Sequence, residues 1–253
     1  MQLGWFQKRR LARDGYVQLR GVVPPARIEA ALRAINQSLG AAGLPPDRLR
    51  ELRARTFCPE LVSAPAILAL YDDGAQALAE SAIGRVRAPG EAQIALRFPQ
   101  AEGATPVPHI DGMYTPDNGV PAGTLQHFTG LLGVFLSDVA TPRDGNFTVW
   151  PGSHRLLAAH FRQHGIGALA AGGLPALALP QPRPLLGRAG DVVLAHYALA
   201  HAAGPNLGPH VRYAVFFRLH HADHDPAGIR SLTRLWSDWD GMQSFARAGE
   251  LRG

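Results

Sequence analysis

Cysteine is almost missing from this chain of 253 residues, with Cys58 as the single example. One cysteine excludes an internal disulfide, and we expect Cys58 to be a small buried apolar side chain. Long apolar runs are missing too, since no window approaches the roughly 18 apolar residues that a membrane span needs. The first residues carry their charges after the apolar ones, the reverse of a secretory signal. These absences predict a soluble cytoplasmic protein with no membrane partner.

Runs of like charge are also missing, although the formal net charge is +5 and the pI is about 10.0. Nearly every cation is an arginine, and the arginines are scattered among acidic residues without interleaved aromatics. Nucleic-acid-binding proteins instead concentrate their basic residues in one patch or stripe. The composition therefore predicts no nucleic-acid partner.

The hydrophobic pattern changes character near residue 90. Before that point the patterns are typical of helices at 3–13, 26–39, 45–55 and 65–83, with an edge strand at 15–22. Beyond it, strand patterns cover 92–99, 125–139, 145–150, 191–197 and 211–219. Helices are predicted at 154–164, with Ser153 as the N-cap, and at 226–236.

Helices first and strands afterwards favour a mainly β fold, a sandwich or barrel buttressed by helices, over an alternating α/β sheet. We expect a single domain over residues 1–253. Its parts would be a helix-rich region at 1–90, a β core at 91–221 and a C-terminal segment at 222–253.

Two separated stretches carry the residues typical of a metal site. His109 and Asp111 lie two apart, so on an extended backbone both side chains point the same way and can hold one ion. Seen alone, this pair also fits a loop turn with a local hydrogen bond. His201 would complete a set of two histidines and one carboxylate, which leaves half of an iron's coordination sphere open. Its rival His196, on the opposite face of a continuous strand, is interpreted as a core histidine or as one that supports a metal ligand.

Several motifs together resemble the phytanoyl-CoA dioxygenase family of Fe(II)- and 2-oxoglutarate-dependent oxygenases. They are Pro-His-Ile-Asp-Gly at 108–112, Asp-Gly-Asn-Phe-Thr-Val-Trp-Pro-Gly-Ser-His-Arg at 144–155, Gly-Asp-Val-Val-Leu at 190–194, His-Ala-Ala-Gly-Pro-Asn at 201–206, and Arg212. Each motif is modest alone, but their order and spacing make the resemblance specific over most of residues 11–219.

The resemblance implies a double-stranded β-helix, a jelly-roll or cupin-like core flanked by α-helices. It also implies that Fe(II) is held by His109, Asp111 and His201 as the catalytic residues, and that 2-oxoglutarate and O2 take the open positions. Arg212 would bind the far carboxylate of 2-oxoglutarate, for which a permanently charged guanidinium fork is suited. Thr129, Gln93 and Gln126 are further candidate contacts to this cosubstrate.

The implied reaction is hydroxylation of a small or medium-sized organic molecule, with release of succinate and CO2. Related halogenases have a small residue where this chain has Asp111, so its presence favours hydroxylation. The family often has Ser or Thr where Ala203 stands, and a Trp where Phe135 or Val134 stands. The alternatives are a zinc-dependent hydrolase or lyase on the same triad, and a non-catalytic jelly-roll binding module. The sequence leaves the substrate and the oligomeric state open.

Other polar and aromatic residues have simpler interpretations. Arg218 shares the face of Arg212 if the strand is regular, and is either a substrate contact or a charge at the rim of the barrel. His154 is interpreted as a helix-start residue. The cluster of His220, His221 and His224 is interpreted as a solvated edge, and Trp5, Trp236 and Trp239 as packing residues.

Overall fold

The computed structural model describes residues 1–41, 43, 50–51, 57–114 and 120–245. Helices dominate its first part: α1 (Trp5–Asp14), α2 (Pro25–Gly40), a 3-10 turn (Pro59–Leu61), α3 (Pro65–Leu68) and α4 (Asp73–Ile83). The later helices are α5 (Ser153–His164), α6 (Gly167–Ala170), α7 (Arg230–Thr233) and a final 3-10 turn (Asp240–Met242). The strands are β1 (Tyr16–Leu19), β2 (Gln93–Arg97), β3 (Gly130–Phe135), β4 (Phe147–Val149), β5 (Arg183–Pro184), β6 (Val192–His196), β7 (His201–Ala203) and β8 (Arg212–Leu219).

The strands form two antiparallel sheets. The larger sheet has the order β1-β6-β3-β8-β2, and the smaller has the order β5-β4-β7. Strand β1 lies at an edge of the larger sheet, as its alternating pattern predicts. Strands distant in sequence are neighbours in both sheets. This topology brings residues 109, 201 and 212 close together.

Alternation along the central strands divides the core into two layers. On one face of the larger sheet, Leu132 and Val134 of β3 pack with Ile35 of α2 and Leu78 of α4. On the other face, Leu131 and Phe135 pack with residues of the smaller sheet. Because successive side chains of a strand point to opposite faces, one apolar strand contributes to both layers. The second layer, between the sheets, surrounds the cavity described below.

Several predicted elements differ in extent from those observed. The helix expected at 65–83 is two helices, because the side chain of Asp72 accepts hydrogen bonds from the backbone of Gly74 and Ala75 and begins α4 there. The helix expected at 226–236 is only the short α7. Ser153 is the first residue of α5 rather than its N-cap, since its hydroxyl accepts from the backbone of Ala200.

The core is β-rich, as expected, although helix exceeds strand in the described part of the chain. Helices contain more residues than strands within the described ranges, and the strand expected at 125–139 is only six residues long. The helix predicted at 45–55 lies mostly outside the described residues. None of the described helices combines the length and apolar character that crossing a membrane would require.

Aromatic packing around the C-terminal segment involves a buried histidine. Trp239 is 1% exposed and stacks on His196, while Trp236 contacts the rings of both His196 and His154. These two tryptophans are buried packing residues as expected, whereas Trp5 is 57% exposed and contacts the rings of Phe6 and Phe245 at the surface. His196 is confirmed as a core histidine. His154 is buried near the start of α5, as interpreted from the sequence.

We predict that the protein loses stability in mild acid through His196. One ring nitrogen of His196 contacts the carbonyl of Leu235, and the other accepts from the backbone N–H of Ala198, so the fold holds the neutral ring. Burial lowers the pKa of His196 from 6.5 to about 4. Between pH 6.5 and 4, His196 binds a proton in the unfolded chain but stays neutral in the folded chain. The free energy of unfolding should therefore fall by about 3 kcal/mol over this range.

Urea unfolding at several pH values measures this dependence. His196→Gln should unfold with a shallower dependence on pH in the same window. An identical slope in the variant and the wild type would contradict the assignment to His196.

Candidate metal and cosubstrate site

A cavity of about 110 Å³ lies between the two sheets. Its walls come from strands of both sheets and from the loop that carries His109 and Asp111. The lining residues are Phe57, Gln93, Ala95, Leu96, Arg97, His109, Asp111, Leu131, Phe147, His201, Ala202, Ala203, Arg212 and Phe216. Most of the residues expected at the site therefore meet around one space.

A tight turn follows the first two candidate ligands. Gly112 has φ +80, and a Cβ there would lie 2.3 Å from the backbone oxygen of Gln126. The backbone N–H of Gln126 donates to the oxygen of Gly112 at 3.0 Å, which holds the turn. A residue with a side chain would be strained in this conformation and would collide with the backbone. Gly112 thus lets the chain turn back immediately after Asp111.

A two-residue backbone bridge joins this loop to the distant strand β7. The N–H of His109 donates to the oxygen of His201 at 3.0 Å, and the N–H of His201 donates to the oxygen of His109 at 2.9 Å. Strand β7 is itself paired with β4, with His201 opposite Val149. The bridge therefore fixes the two histidines, which are far apart in sequence, as direct neighbours.

The three expected ligands converge at the cavity. His109, Asp111 and His201 offer ligand atoms that all lie within 4.8 Å of one another. The Nε2 atoms of His109 and His201 lie 3.8 Å and 3.5 Å from Oδ1 of Asp111. Two imidazoles and one carboxylate on one side of an ion match a facial arrangement with open positions opposite. This set can hold a metal ion.

Both imidazoles are oriented for metal binding. Nδ1 of His201 lies 3.0 Å from the carbonyl of Leu199, so it carries the proton and leaves the lone pair of Nε2 facing Asp111. The ring of His201 packs 5.2 Å from that of Phe147. Burial, with the neighbouring His201, lowers the pKa of His109 to about 4. His109 is therefore neutral near pH 7, the form in which a histidine binds a metal.

The two carboxylate oxygens of Asp111 have different partners. Its Oδ1 faces the histidines, whereas its Oδ2 accepts a hydrogen bond from Arg218 at 2.8 Å. Burial would raise the pKa of Asp111, but the surroundings formed by His201, Arg218 and His109 outweigh it and hold the pKa well below its ordinary value. The carboxylate is therefore ionised and presents a single oxygen to the ion site.

Arg212 lies buried in the same cavity, with 4% of its surface exposed. Its Nε donates to the carbonyl of Gly145 at 2.7 Å and one terminal nitrogen donates to the carbonyl of Ala95 at 3.0 Å. Among the described residues no carboxylate forms an ion pair with it. A buried guanidinium without an anion is costly, so this arrangement suits an anionic ligand.

The additional cosubstrate contacts expected from sequence are placed differently. Thr129 does not line the cavity, because its hydroxyl accepts from the backbone N–H of His221 at 2.9 Å, which corrects that expectation. Gln93 does line the cavity, but its side-chain oxygen accepts from Arg218 at 2.7 Å. Gln126 is exposed and supports Gly112 through its backbone.

The histidines after β8 do not form a solvated edge, which corrects their interpretation from sequence. His221 is 9% exposed and His224 is 3% exposed. Nδ1 of His224 lies 2.5 Å from a carboxylate oxygen of Asp238, and Nε2 of His221 lies 3.2 Å from one of Asp240. His221 and His224 are both buried because residues of the C-terminal segment, Asp238 and Asp240, contact them.

Arg218 is the site residue whose role was missed. It was expected as a substrate contact or a charge at the rim of the barrel, yet it bridges Asp111 and Gln93 and lies over the ring of Phe128 at 5.8 Å. The signal available in the sequence was its position six residues after Arg212, on the same face of β8. The identity of its partner was not available, because Asp111 lies in a distant loop.

Comparison with known proteins identifies the family. Residues 11–214 match the family described as Phytanoyl-CoA dioxygenase (PhyH), so this chain is a member of that family. The matched range includes His109, Asp111, His201 and Arg212. A search of curated protein sequences gives no match.

Three solved structures illustrate the similarity of fold. HygX from Streptomyces hygroscopicus, solved with nickel and 2-oxoglutarate bound, is 20% identical, with a TM-score of 0.58 over 89% of this chain and 90% of that one. AviO1 from Streptomyces viridochromogenes Tue57 is 21% identical, with a TM-score of 0.58 over 88% and 97%. SnoN, a non-heme alpha ketoglutarate dependent epimerase from nogalamycin biosynthesis, is 24% identical, with a TM-score of 0.51 over 90% and 87%. At these identities the likeness supports the fold.

We predict that Arg218→Met weakens metal binding about 10- to 100-fold, because partners of a ligand orient it and their loss has effects of this size. Titration calorimetry with Fe(II) under anaerobic conditions measures the affinity. Arg218→Lys should lose less, since it keeps the charge. Arg20→Met, at an exposed arginine outside the cavity, is the control for the change in net charge. Wild-type affinity in Arg218→Met would show that Asp111 is oriented without this contact.

Proposed function

We propose that this protein is a non-haem Fe(II)- and 2-oxoglutarate-dependent dioxygenase that hydroxylates a small or medium-sized organic molecule. The observation that carries the proposal is the convergence of Nε2 of His109, Nε2 of His201 and Oδ1 of Asp111 in the cavity that also holds Arg212. Membership of the phytanoyl-CoA dioxygenase family supports the same class. Two facing antiparallel sheets with the site between them fit a double-stranded β-helix.

The residues present fit both the metal and the cosubstrate. Two imidazoles and one carboxylate are the donor set of non-haem Fe(II) oxygenases, and they leave positions open for further ligands. The guanidinium of Arg212, which forms no ion pair with any described carboxylate, fits the far carboxylate of 2-oxoglutarate. When bound, the metal and 2-oxoglutarate supply the oxidation: 2-oxoglutarate, O2 and the substrate become succinate, CO2 and the hydroxylated product.

The chain's own residues prepare the site for this reaction. Arg218 holds one oxygen of Asp111, which leaves the other to bind the metal and keeps the remaining positions free. The contact with the carbonyl of Leu199 holds His201 in the correct tautomer. Apolar side chains of Leu131, Phe147 and Phe216 line the cavity and limit water around the reacting groups.

Hydroxylation is proposed rather than halogenation because of Asp111. A small residue at this position would free a coordination site for a halide, whereas the carboxylate of Asp111 would take that site. The substrate is proposed to be a small molecule, since HygX has also been solved with hygromycin B bound. SnoN, which has a similar fold, is an epimerase. Whether an oxygen atom from O2 enters the product therefore decides between hydroxylation and epimerisation.

We predict that Asp111→Ala abolishes the release of succinate from 2-oxoglutarate, because the proposed set of three ligands loses its carboxylate. The assay supplies Fe(II), 2-oxoglutarate and O2, with a panel of candidate substrates. Asp73→Ala removes an exposed carboxylate at the start of α4 and is the matched control.

Labelled dioxygen separates the possible reactions. One labelled oxygen atom in the organic product supports hydroxylation, and an unlabelled product of unchanged mass indicates epimerisation. Wild-type protein that consumes no 2-oxoglutarate with Fe(II), yet hydrolyses a substrate with Zn(II), would replace the proposal with the zinc alternative.

We predict that Arg212→Met lowers the affinity for 2-oxoglutarate by about 3 kcal/mol, roughly 100-fold, through loss of a buried charge-assisted contact. Calorimetry on the Fe(II)-loaded protein without oxygen measures the affinity. The loss of donors to Gly145 and Ala95 also affects folding, so thermal unfolding of the variant is recorded alongside. Unchanged affinity in a folded Arg212→Met protein would remove Arg212 from the site.

A further inference from the structure

The cavity contains a second guanidinium that the proposed function leaves without a role. Arg97 is the last residue of β2 and is paired directly with Arg212, the first residue of β8. Both residues line the cavity. Directly opposite residues of an antiparallel pair lie roughly 4.5–5.5 Å apart at Cβ and point to the same face. Two arginine side chains therefore enter the cavity from one point of its wall.

A glycine makes room for this pair. A Cβ at Gly145 would lie 2.9 Å from Cβ of Arg97 and 3.2 Å from Cβ of Arg212. Gly145 also has φ +72, and its carbonyl accepts from Arg212. The loop at Gly145 thus approaches both arginines closely, but its carbonyl accepts a hydrogen bond only from Arg212.

Neither arginine has a protein anion to balance it. Among the described residues no carboxylate pairs with Arg97 or Arg212, and the one carboxylate that lines the cavity, Asp111, is paired with Arg218. Burial lowers the pKa of Arg97; burial and the charge of Arg97 lower that of Arg212. Two like charges this close are unfavourable until an anion binds between them.

Among the lining residues that the structure describes, the facing wall supplies no competing side-chain donor. Ala202 and Ala203 of β7 line the cavity there, and neither has a polar side chain. Gln93, the remaining polar residue on β2 in the cavity, is the first residue of that strand and contacts Arg218 near Asp111, whereas Arg97 is the last. Hydrogen bonds from side chains to an anion at this end therefore come from the two arginines.

We propose that Arg97 is a second binding residue for the far carboxylate of 2-oxoglutarate, which it shares with Arg212. The inference rests on the proposed function and adds a residue to its cosubstrate site. One carboxylate offers two oxygens and about four acceptor positions, enough for two guanidinium groups. Arg212 is anchored by backbone carbonyls, whereas no described residue accepts a hydrogen bond from the side chain of Arg97, so its donors are available for the ligand.

The test compares two ligands in calorimetry on the Fe(II)-loaded protein without oxygen. One is 2-oxoglutarate, and the other is 2-oxobutanoate, which has the same metal-binding end but no far carboxylate. Arg97→Met should weaken 2-oxoglutarate roughly tenfold to hundredfold, the size of a charge-assisted hydrogen bond. Binding of 2-oxobutanoate should stay within about twofold of the wild-type value.

Three further variants sharpen the result. Arg97→Lys should retain part of the affinity, because it keeps the charge but not the fork. Ala203→Ser, added to Arg97→Met, should restore part of it by placing a donor on the facing wall. Arg20→Met is the control for net charge and should bind both ligands as the wild type does. If Arg97→Met does not fold, Arg97→Gln takes its place.

The outcomes separate this inference from the proposed function. Wild-type affinity for 2-oxoglutarate in Arg97→Met, with a weakened Arg212→Met, would overturn the role of Arg97 alone. Equal weakening of both ligands in Arg97→Met would also overturn it, since a structural effect would explain the loss. A wild-type protein that binds no 2-oxoglutarate with Fe(II) would instead overturn the proposed function.

Discussion

The backbone bridge between His109 and His201 is the contact on which the candidate site depends. Its two hydrogen bonds join a Gly- and Pro-rich loop to β7, across 92 residues of sequence (201 minus 109). The loop has little regular structure of its own, so this contact and the turn at Gly112 define where Asp111 lies. Because β7 is paired with β4, the bridge transfers the rigidity of the smaller sheet to the ligands.

Charge is distributed unevenly along the cavity, and this gives its two ends different chemistry. At the ligand end, Asp111 is matched by Arg218, so that end is close to neutral before a metal binds. At the other end, Arg97 and Arg212 have no carboxylate partner among the described residues. A molecule with a metal-binding group and a distant carboxylate matches both ends, which is the chemistry of a 2-oxo dicarboxylic acid. Strand β8 carries both Arg212 and Arg218 and thereby links the two ends.

Predictions that depend on local sequence patterns were more accurate than predictions that depend on contacts between distant parts of the chain. Helix α2 and strand β6 have strong periodic patterns and lie within a residue or two of their predicted bounds. The stretch 65–83 has an equally good helical pattern, but the local cap at Asp72 divides it. The histidines after β8 were misjudged because their burial comes from the C-terminal segment, which pairs Asp238 with His224. The hydrophobic periodicity of a segment indicates which of its faces can pack, but it does not show which other segment packs against that face.

The sequence by itself determined the kinds of chemical group at the site and their local geometry. The spacing of His109 and Asp111 placed both side chains on one side of an extended segment, and alternation placed Arg212 and Arg218 on one face of β8. Tertiary structure decided which groups meet: His201 with the loop, Arg218 with Asp111, and Arg97 beside Arg212. It also turned the hydroxyl of Thr129 to the backbone of His221. The reason is physical, since local spacing constrains the direction of a side chain, whereas its partner is set by strands that pair across the whole chain.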